Sequence, residues 1–349
     1  MTPKTASRPA AAPQDAARGS TAPRLRRARI AGVGMSVPPK VMTNADLEKL
    51  VDTTDEWIRT RTGIRERRIA EPGTATSDLA VPAARQALAQ AGLNPKDLQL
   101  IIVATSTPDM VFPATACLVQ DTLGAPKAAC FDIQAACTGF VYALAMADQC
   151  VAGGMYDNAL VIGAEVLSGF IDWTDRSTCV LFGDGAGACV LTPTNRGGIL
   201  ATHLASDGSG KDLLQLPGGG SRTPPSHASI DQRLHFLQMK GNEVFKVAVR
   251  AMADAAAQVL AKCGRKPQEV DCLIPHQANQ RIIDAVMERV QIDPSKLFLN
   301  VERYGNMSAA STIVALCEAL TEGRIKEGDL VVLVAFGAGL TWGAAAIEW

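Results

Sequence analysis

The sequence predicts an α/β protein assembled from two similar halves, and three observations carry that prediction. Short apolar runs such as "LQLIIVATST", "ACFDIQ" and "ALVIGAEV" have the character of strands in sheets buried on both faces. Helical patterns alternate with them, and "SDLAVPAARQALAQAG" is the clearest, with Ser77 expected as N-cap and Gly92 as the stop. The third observation is a repeat of order. "LIIVATSTPD" (100–109), "FDIQAACTGFVYALAMA" (131–147) and "NALVIGAEV" (158–166) read strand, strand–turn–helix, strand. "DCLIPHQANQ" (271–280), "LFLNVERYGNMSAASTIVALCEAL" (297–320) and "DLVVLVAFGAG" (329–339) repeat that series with little identity.

Taken in chain order, residues 1–27 stand apart. They are Ala/Pro-rich, with six basic residues, one acidic residue and no apolar stretch. Such a segment buries too little to offset its ordering entropy, so it reads as a disordered extension. A transit peptide shares that composition, which leaves an organellar address open. From Ala28 the first half runs to residue 198, starting with the strand "RIAGVGMSVP", and residues 199–349 form the second half. Within the latter, 207–238 is rich in Gly, Pro and Ser and reads as an inserted loop or lid.

Composition narrows the class. The 349 residues are 47% hydrophobic and 20% charged with a net charge of −1, the profile of a soluble globular chain without an overall pull towards nucleic acid or lipid. No run approaches the ~20 apolar residues that span a bilayer. Nine scattered cysteines, with no CxxC pair and no secretion signal, indicate reduced thiols and a cytoplasmic setting. The four histidines and the dispersed cysteines give no zinc-ligand spacing, so no metal is expected.

One cysteine is placed differently from the others. Cys137 sits between a strand and the apolar helix "TGFVYALAMA", whose first-turn N–H groups and dipole would face its sulfur and favour thiolate. His276 ends an apolar run in "LIPHQANQRI". Asn306 lies in "YGNMSAAS", the turn that matches the Cys137 turn in the second half. The glycine-rich "AFGAGLTWG" (335–343) follows a strand, where backbone N–H groups suit an oxyanion. Taken singly these residues have ordinary readings as core thiol, structural imidazole and turn residue. A pseudo-twofold fold would bring them to one central site.

At this point the chain resembles a known family, β-ketoacyl-acyl-carrier-protein synthase III of the thiolase-like superfamily. The resemblance covers Arg29 to Trp349 and rests on "DTTDEWIRTRTGIRERRIA", "AACTGF", "RSTCVLFGDGAGA", "GNEVFKVAV", "PHQANQRI", "GNMSAAS" and "FGAGLTWG". It implies a five-layered αβαβα fold from two pseudo-equivalent halves, acting as a homodimer. It also implies that Cys137 is acylated from acyl-CoA, and that the acyl group then condenses with malonyl-acyl carrier protein with loss of CO₂. No cofactor is implied beyond the coenzyme A thioester used as substrate. Cys137, His276 and Asn306 match the catalytic triad, and the backbone N–H groups of Cys137 and Ala338 match an oxyanion hole. Trp57 and Arg176 match residues that sandwich the adenine of CoA. Arg61 and Asn279 match the entrance, Gly241 and Phe245 the pantetheine tunnel, and Arg281 the docking site for acidic carrier protein, a patch that Lys246 and Arg250 would extend. Phe112 matches a residue inserted across the dimer interface, while Leu167, Phe182, Leu237 and Phe336 match the acyl pocket.

The pairing separates relatives. Elongating condensing enzymes place a second histidine where Asn306 stands. Thiolases use a second cysteine near the C-terminus, and nothing after Cys317 supplies one. Chalcone-synthase-like enzymes carry a "GFGPG"-type ending. Three departures from the family pattern are Tyr304 and Met307 beside Asn306, and Glu288 at an otherwise basic position. A secondary-metabolism condensing enzyme or acyltransferase shares every motif and is the alternative. A Cys-His-Asn hydrolase shares the residue order but not the duplicated halves.

Overall fold

The computed structural model describes residues 26–349; residues 1–25, most of the expected extension, lie outside them. Nine strands build two central sheets: β1 Arg27–Ser36, β2 Leu100–Ala104, β3 Ala129–Ile133, β4 Ala159–Glu165, β5 Gly185–Thr194, β6 Gly198–Ser206, β7 Cys272–Pro275, β8 Leu330–Gly337 and β9 Thr341–Glu348. The helices that matter are α1 Asp55–Thr62, α2 Thr76–Ala91, α3 Thr115–Leu123, α4 Gly139–Ala152, α5 Gly241–Cys263, α6 Gln280–Val290 and α7 Ala310–Thr321.

The two sheets repeat one another except at one strand. The first sheet runs β1-β5-β4-β2-β3 and the second β6-β9-β8-β7. In each, one corresponding pair is parallel (β2 with β4, β7 with β8), and the next two strands are antiparallel. The counterpart of β3 has shrunk to one parallel bridge, Leu273 to Leu297. Strands of the first sheet come from residues up to Thr194, and those of the second from Gly198 onward.

Helices complete five layers, as the fold class predicts. The small, apolar central helices α4 and α7 are buried between the two sheets, sharing one core with Leu100, Ile102, Val161, Ile274, Val331 and Leu333. On the outer faces α2 and α3 cover the first sheet, and α5 and α6 cover the second. At about 25 cal/mol per Å² of apolar burial, a helix sequestered on all sides must be apolar throughout, as "GFVYALAMADQCVA" nearly is.

Several local expectations change. β1 starts at Arg27, and Arg26 bonds to Asp157 at 2.9 Å, so ordered structure reaches back into the last residues assigned to the extension. The α2 N-cap is Ala75, whose N–H donates to Asp78; Ser77 lies inside the first turn and binds Asp109 through its N–H (3.0 Å) and hydroxyl (2.6 Å). Gly92 stops the helix in left-handed geometry (φ 63°), as expected. β3 is not buried on both faces: it is an edge strand, and Phe131 is 40% exposed. The 207–238 segment is more than a loop. It holds the helix His227–Asp231, and its strand Leu214–Gln215 pairs with Gln238–Met239.

Candidate active site

A cavity of about 680 Å³ opens between the halves, and its lining joins Cys137, His276 and Asn306 to Trp57, Arg61, Gly241, Phe245, Asn279 and Arg281. Exposed Arg61, Lys246 and Arg281 mark its mouth, whereas Cys137, His276 and Asn306 are 6%, 3% and 7% exposed at its floor. A narrow shaft with reactive groups at the bottom and cations at the rim suits a long anionic ligand with one reactive end. Among the described residues no cluster of metal-ligating side chains occurs.

Cys137 sits in a tight 3₁₀ turn ahead of α4, after Ala136 in left-handed geometry (φ 47°). The turn consumes the Thr138 and Gly139 N–H groups on the carbonyls of Ala135 and Ala136, so fewer free donors reach the sulfur than the sequence suggests. Burial pushes the thiol up to about 12, only partly offset by the Ser308 hydroxyl and the Cys137 N–H. The resting group is a thiol, not the helix-stabilised thiolate expected from sequence.

His276 follows β7, and its N–H donates to Val334 O at 2.7 Å. Burial pulls the imidazole down to about 3, so it is neutral. Nδ1 is buried without a partner. An unpaired buried N–H is costlier than an unpaired lone pair, which assigns the proton to Nε2. Gln277, which sequence reasoning passes over inside "PHQANQ", locks this turn: it donates to Pro275 O and accepts the N–H groups of Asn300 and Val301 at 2.9 and 3.1 Å.

Asn306 is held on three sides. Its N–H donates to Leu181 O (2.8 Å), its carbonyl accepts from Gly183 (3.0 Å), and Oδ1 accepts the Ser308 N–H (2.8 Å). With Oδ1 taken, the amide presents Nδ2 as a donor. The departures beside it turn away from the cavity. Met307 is fully buried in a small core with Tyr304, Ala310 and Val314, and the Tyr304 hydroxyl donates to Glu318 at 2.6 Å. Neither braces the carboxamide.

Gly337, at the end of β8, lines the cavity, while its neighbour Ala338 is not among the lining residues. A methyl at 337 would stand 2.7 Å from Cys137 N and 3.0 Å from Thr138 N, so glycine is what lets "FGAG" approach the turn. Thr341 pins the two together: its hydroxyl donates to Ala135 O (2.9 Å), and its carbonyl accepts the Thr138 hydroxyl (3.1 Å).

At the mouth, the Arg61 and Arg176 guanidinium carbons lie 4.8 and 4.9 Å from the Trp57 ring centroid, and Arg176 also donates to Asp52 O at 2.7 Å. A base between Trp57 and Arg176 needs about 7 Å between planes, twice the contact distance of ~3.5 Å. The slot is therefore closed here, and Arg176 must swing out to admit a base. Asn279 caps α6, accepting the Arg281 N–H at 2.9 Å, and Arg281 lies 5.9 Å from the Phe245 ring. Gly241 leaves room: an added Cβ would meet only Met239, at 3.7 Å. Leu167 and Leu237 pack with Phe182 in a separate small core, and Phe182 and Phe336 reach the cavity. Phe112 is 83% exposed, far from burial within its own chain.

A duplicated αβαβα frame with a buried thiol at the floor of a shaft between its halves defines the class, a thiolase-like condensing acyltransferase. Family profiles described as 3-oxoacyl-[acyl-carrier-protein (ACP)] synthase III and its C-terminal part match residues 131–208 and 260–349. The chain is 57% identical over 327 residues to the β-ketoacyl-[acyl-carrier-protein] synthase III of Symbiobacterium thermophilum, covering 93% of this chain and 99% of that protein. The 3-oxoacyl-[acyl-carrier-protein] synthase III of Aquifex aeolicus superposes with a TM-score of 0.86 at 51% identity, over 92% of this chain and all of that one. The priming β-ketosynthase of the R1128 polyketide pathway superposes with a TM-score of 0.87 at 35% identity, over 94% and 98%. The chain belongs to the β-ketoacyl-[acyl-carrier-protein] synthase III family.

Proposed function

We propose that this enzyme condenses an acyl-CoA primer, acetyl-CoA or similar, with malonyl-acyl carrier protein to give 3-ketoacyl-acyl carrier protein and CO₂, opening type II fatty-acid synthesis. The observation that carries the reading is the convergence of Cys137, His276 and Asn306 on one shaft floor. In the first half-reaction the Cys137 sulfur attacks the thioester carbon, the oxyanion is held by the N–H groups of Cys137 and Ala338, and its collapse breaks the carbon–sulfur bond to CoA, which leaves as a thiol with the proton Cys137 gave up. In the second, loss of CO₂ from malonyl places an enolate oxygen between His276 Nε2–H and Asn306 Nδ2–H. The carbanion then attacks the acyl-cysteine carbonyl carbon, and the carbon–sulfur bond breaks to free the product and return Cys137 to its thiol. Neutral imidazole suits this role, since a donor that stays neutral releases the product oxygen.

A buried neutral thiol–imidazole pair does not favour the thiolate–imidazolium couple that a cysteine hydrolase uses. Identity of 57% to a fatty-acid family member against 35% to a polyketide-priming one supports the fatty-acid reading over the secondary-metabolic alternative. Trp57, Arg61, Arg176, Gly241, Phe245 and Asn279 bind CoA along the shaft, and Arg281, with Lys246 on the same cavity and exposed Arg250 one turn further along α5, receives the acidic carrier protein. No cofactor is needed beyond the thioester. The nine cysteines, all free, fit action in the cytoplasm, and no helix among the described residues is long and apolar enough to cross a membrane.

The working form is a homodimer. Met110, Val111, Phe112, Phe131 and Met146 form exposed apolar surface around the unpaired β3 edge, which a second copy would cover. Light scattering should return twice the chain mass; a monomer at micromolar concentration would contradict this. The functional reading is tested by incubating wild type and Cys137→Ala with acetyl-CoA and weighing the intact protein. Wild type gains one acetyl group and the variant none; an acetylated variant would overturn the assignment of Cys137.

A further inference from the structure

The two enolate donors of the proposed reaction reach the shaft floor from separate segments, and their backbones hang from different halves. The His276 N–H donates to Val334 O of β8, whereas the Asn306 N–H donates to Leu181 O of the first half. Between the donors runs a helix of a single turn, Val301–Tyr304, that ties one to the other. At its front, the Gln277 side chain next to His276 accepts the N–H groups of Asn300 and Val301 at 2.9 and 3.1 Å, and donates to Pro275 O at 2.8 Å. At its back, Gly305 takes a positive φ of 63° and hands the chain to Asn306. A helix of 4 residues has too few internal bonds to be stiff by itself. Its length and tilt depend on what grips it.

The grip is Glu318, a residue of α7 that lies outside the cavity lining. Its Oε2 accepts from Asn300 Nδ2 at 2.8 Å and from Arg303 Nη2 at 3.0 Å, and its Oε1 accepts from the Tyr304 hydroxyl at 2.6 Å. Asn300 and Tyr304 are buried and the Glu318 side chain is 12% exposed, so water competes little for their bonds. The Arg303 side chain is 40% exposed and adds less. Asn300 is the N-cap of the short helix and Tyr304 its last residue, so one carboxylate holds both ends. Glu318 also stands on the helix that follows Asn306, and its bond to Tyr304 closes the loop that carries the carboxamide.

We infer that Glu318 is a positioning residue for decarboxylation: by gripping both ends of the Val301–Tyr304 helix it fixes the spacing between His276 Nε2 and Asn306 Nδ2. It touches neither donor and no reacting atom. It acts through Asn300 and Gln277 on one side and through Tyr304 on the other. Acylation does not use this spacing, because Cys137 sits on the turn before α4, seated against Gly337. Tyr304, one of the departures beside Asn306, gains a part in this way. Its side chain leaves the carboxamide alone and ties the helix ahead of it to α7.

The inference rests on His276 and Asn306 being the enolate donors, which Asn306→Ala tests separately. The experiment measures acetyl transfer from acetyl-CoA to the whole enzyme, then CO₂ release from malonyl-acyl carrier protein by the acetylated enzyme, each in single turnover. Glu318→Ala should slow CO₂ release by about 100-fold, the scale of a group misplaced by about 1 Å, and leave acylation within about threefold of wild type. Tyr304→Phe, which deletes one hydroxyl, should slow CO₂ release by about tenfold. Both changes act through one carboxylate, so the double variant should be no slower than Glu318→Ala alone. Thermal melts select the variants that fold, and Tyr304→Phe decides the question if Glu318→Ala does not fold. CO₂ release within about twofold of wild type in either variant, while Asn306→Ala loses it, overturns the positioning role and leaves the donors standing. An equal loss of both half-reactions marks Glu318 as a general support of the fold, and effects that multiply in the double variant separate Tyr304 from Glu318; either overturns the inference. Unchanged CO₂ release in Asn306→Ala overturns the donor assignment, and the inference with it.

Discussion

The turn before α4 and the turn before α7 are one backbone used twice. Ala136 in the first and Ser308 in the second both adopt left-handed geometry, at φ 47° and 46°, directly ahead of the two central helices. Each turn is seated on a glycine of the other half. A methyl at Gly337 of β8 would press on Cys137 N at 2.7 Å, and one at Gly163 of β4 would press on Ala309 O at 2.5 Å. The frame is therefore symmetric, and the chemistry is not. The residue in the place of Cys137 is Ala309, a plain methyl. The second half's functional groups sit to either side of it, as Asn306 upstream and His276 on the preceding strand end. Duplication supplies two converging platforms; on the proposed function, divergence gives the nucleophile to one and the hydrogen-bond donors to the other.

Breaking either seat should expose that division. Gly337→Ala drives a methyl into the Cys137 turn and should cut acylation by about 1000-fold, the scale of losing an oxyanion donor of ~3–4 kcal/mol. Gly163→Ala should instead damage malonyl decarboxylation more than acylation, because the displaced Ala309 segment also carries the Ser308 N–H that orients Asn306. Single-turnover acylation and CO₂ release, measured side by side, read both; a Gly337→Ala enzyme acylated at the wild-type rate would show that the seat does not matter. A smaller effect sharpens the picture at the mouth. Arg176 lies against Trp57 and must move to admit adenine, so Arg176→Ala trades a lost contact for a slot already open. The KM for acetyl-CoA should rise by about tenfold or less, with kcat nearly unchanged, as a cation–π contact of ~1 kcal/mol implies. A fall in kcat as large as the rise in KM would place Arg176 in the chemistry instead.

Much of this is legible in the sequence because it lies in order and period. The repeat of strand, turn and helix announces the two halves, and "AACTGF", "PHQANQ" and "GNMSAAS" announce the residues at the shaft floor. What stays hidden depends on contacts between segments far apart in the chain. Glu165 reads as the end of a strand in "VIGAEV" and gains its buried hydrogen-bond shell only where the Thr105 and Thr107 hydroxyls, from the end of β2, reach it. Gln277 and Thr341 are ordinary polar residues until their bonds to Asn300 and Ala135 close. The protonation of Cys137 departs from expectation because helix position is local and desolvation is not: the 3₁₀ turn spends the donors that the pattern seems to offer. Tyr304 and Met307 look like changes to the site in sequence, yet their side chains belong to the packing behind it.

That the halves divide the reaction is tested most directly by separating the two half-reactions in Asn306→Ala. This variant should take the acetyl group from acetyl-CoA at near the wild-type rate, while release of CO₂ from malonyl-acyl carrier protein falls by about 100-fold, the cost of roughly 3 kcal/mol for one missing enolate donor. Unchanged CO₂ release, or an equal loss of both steps, would contradict the division.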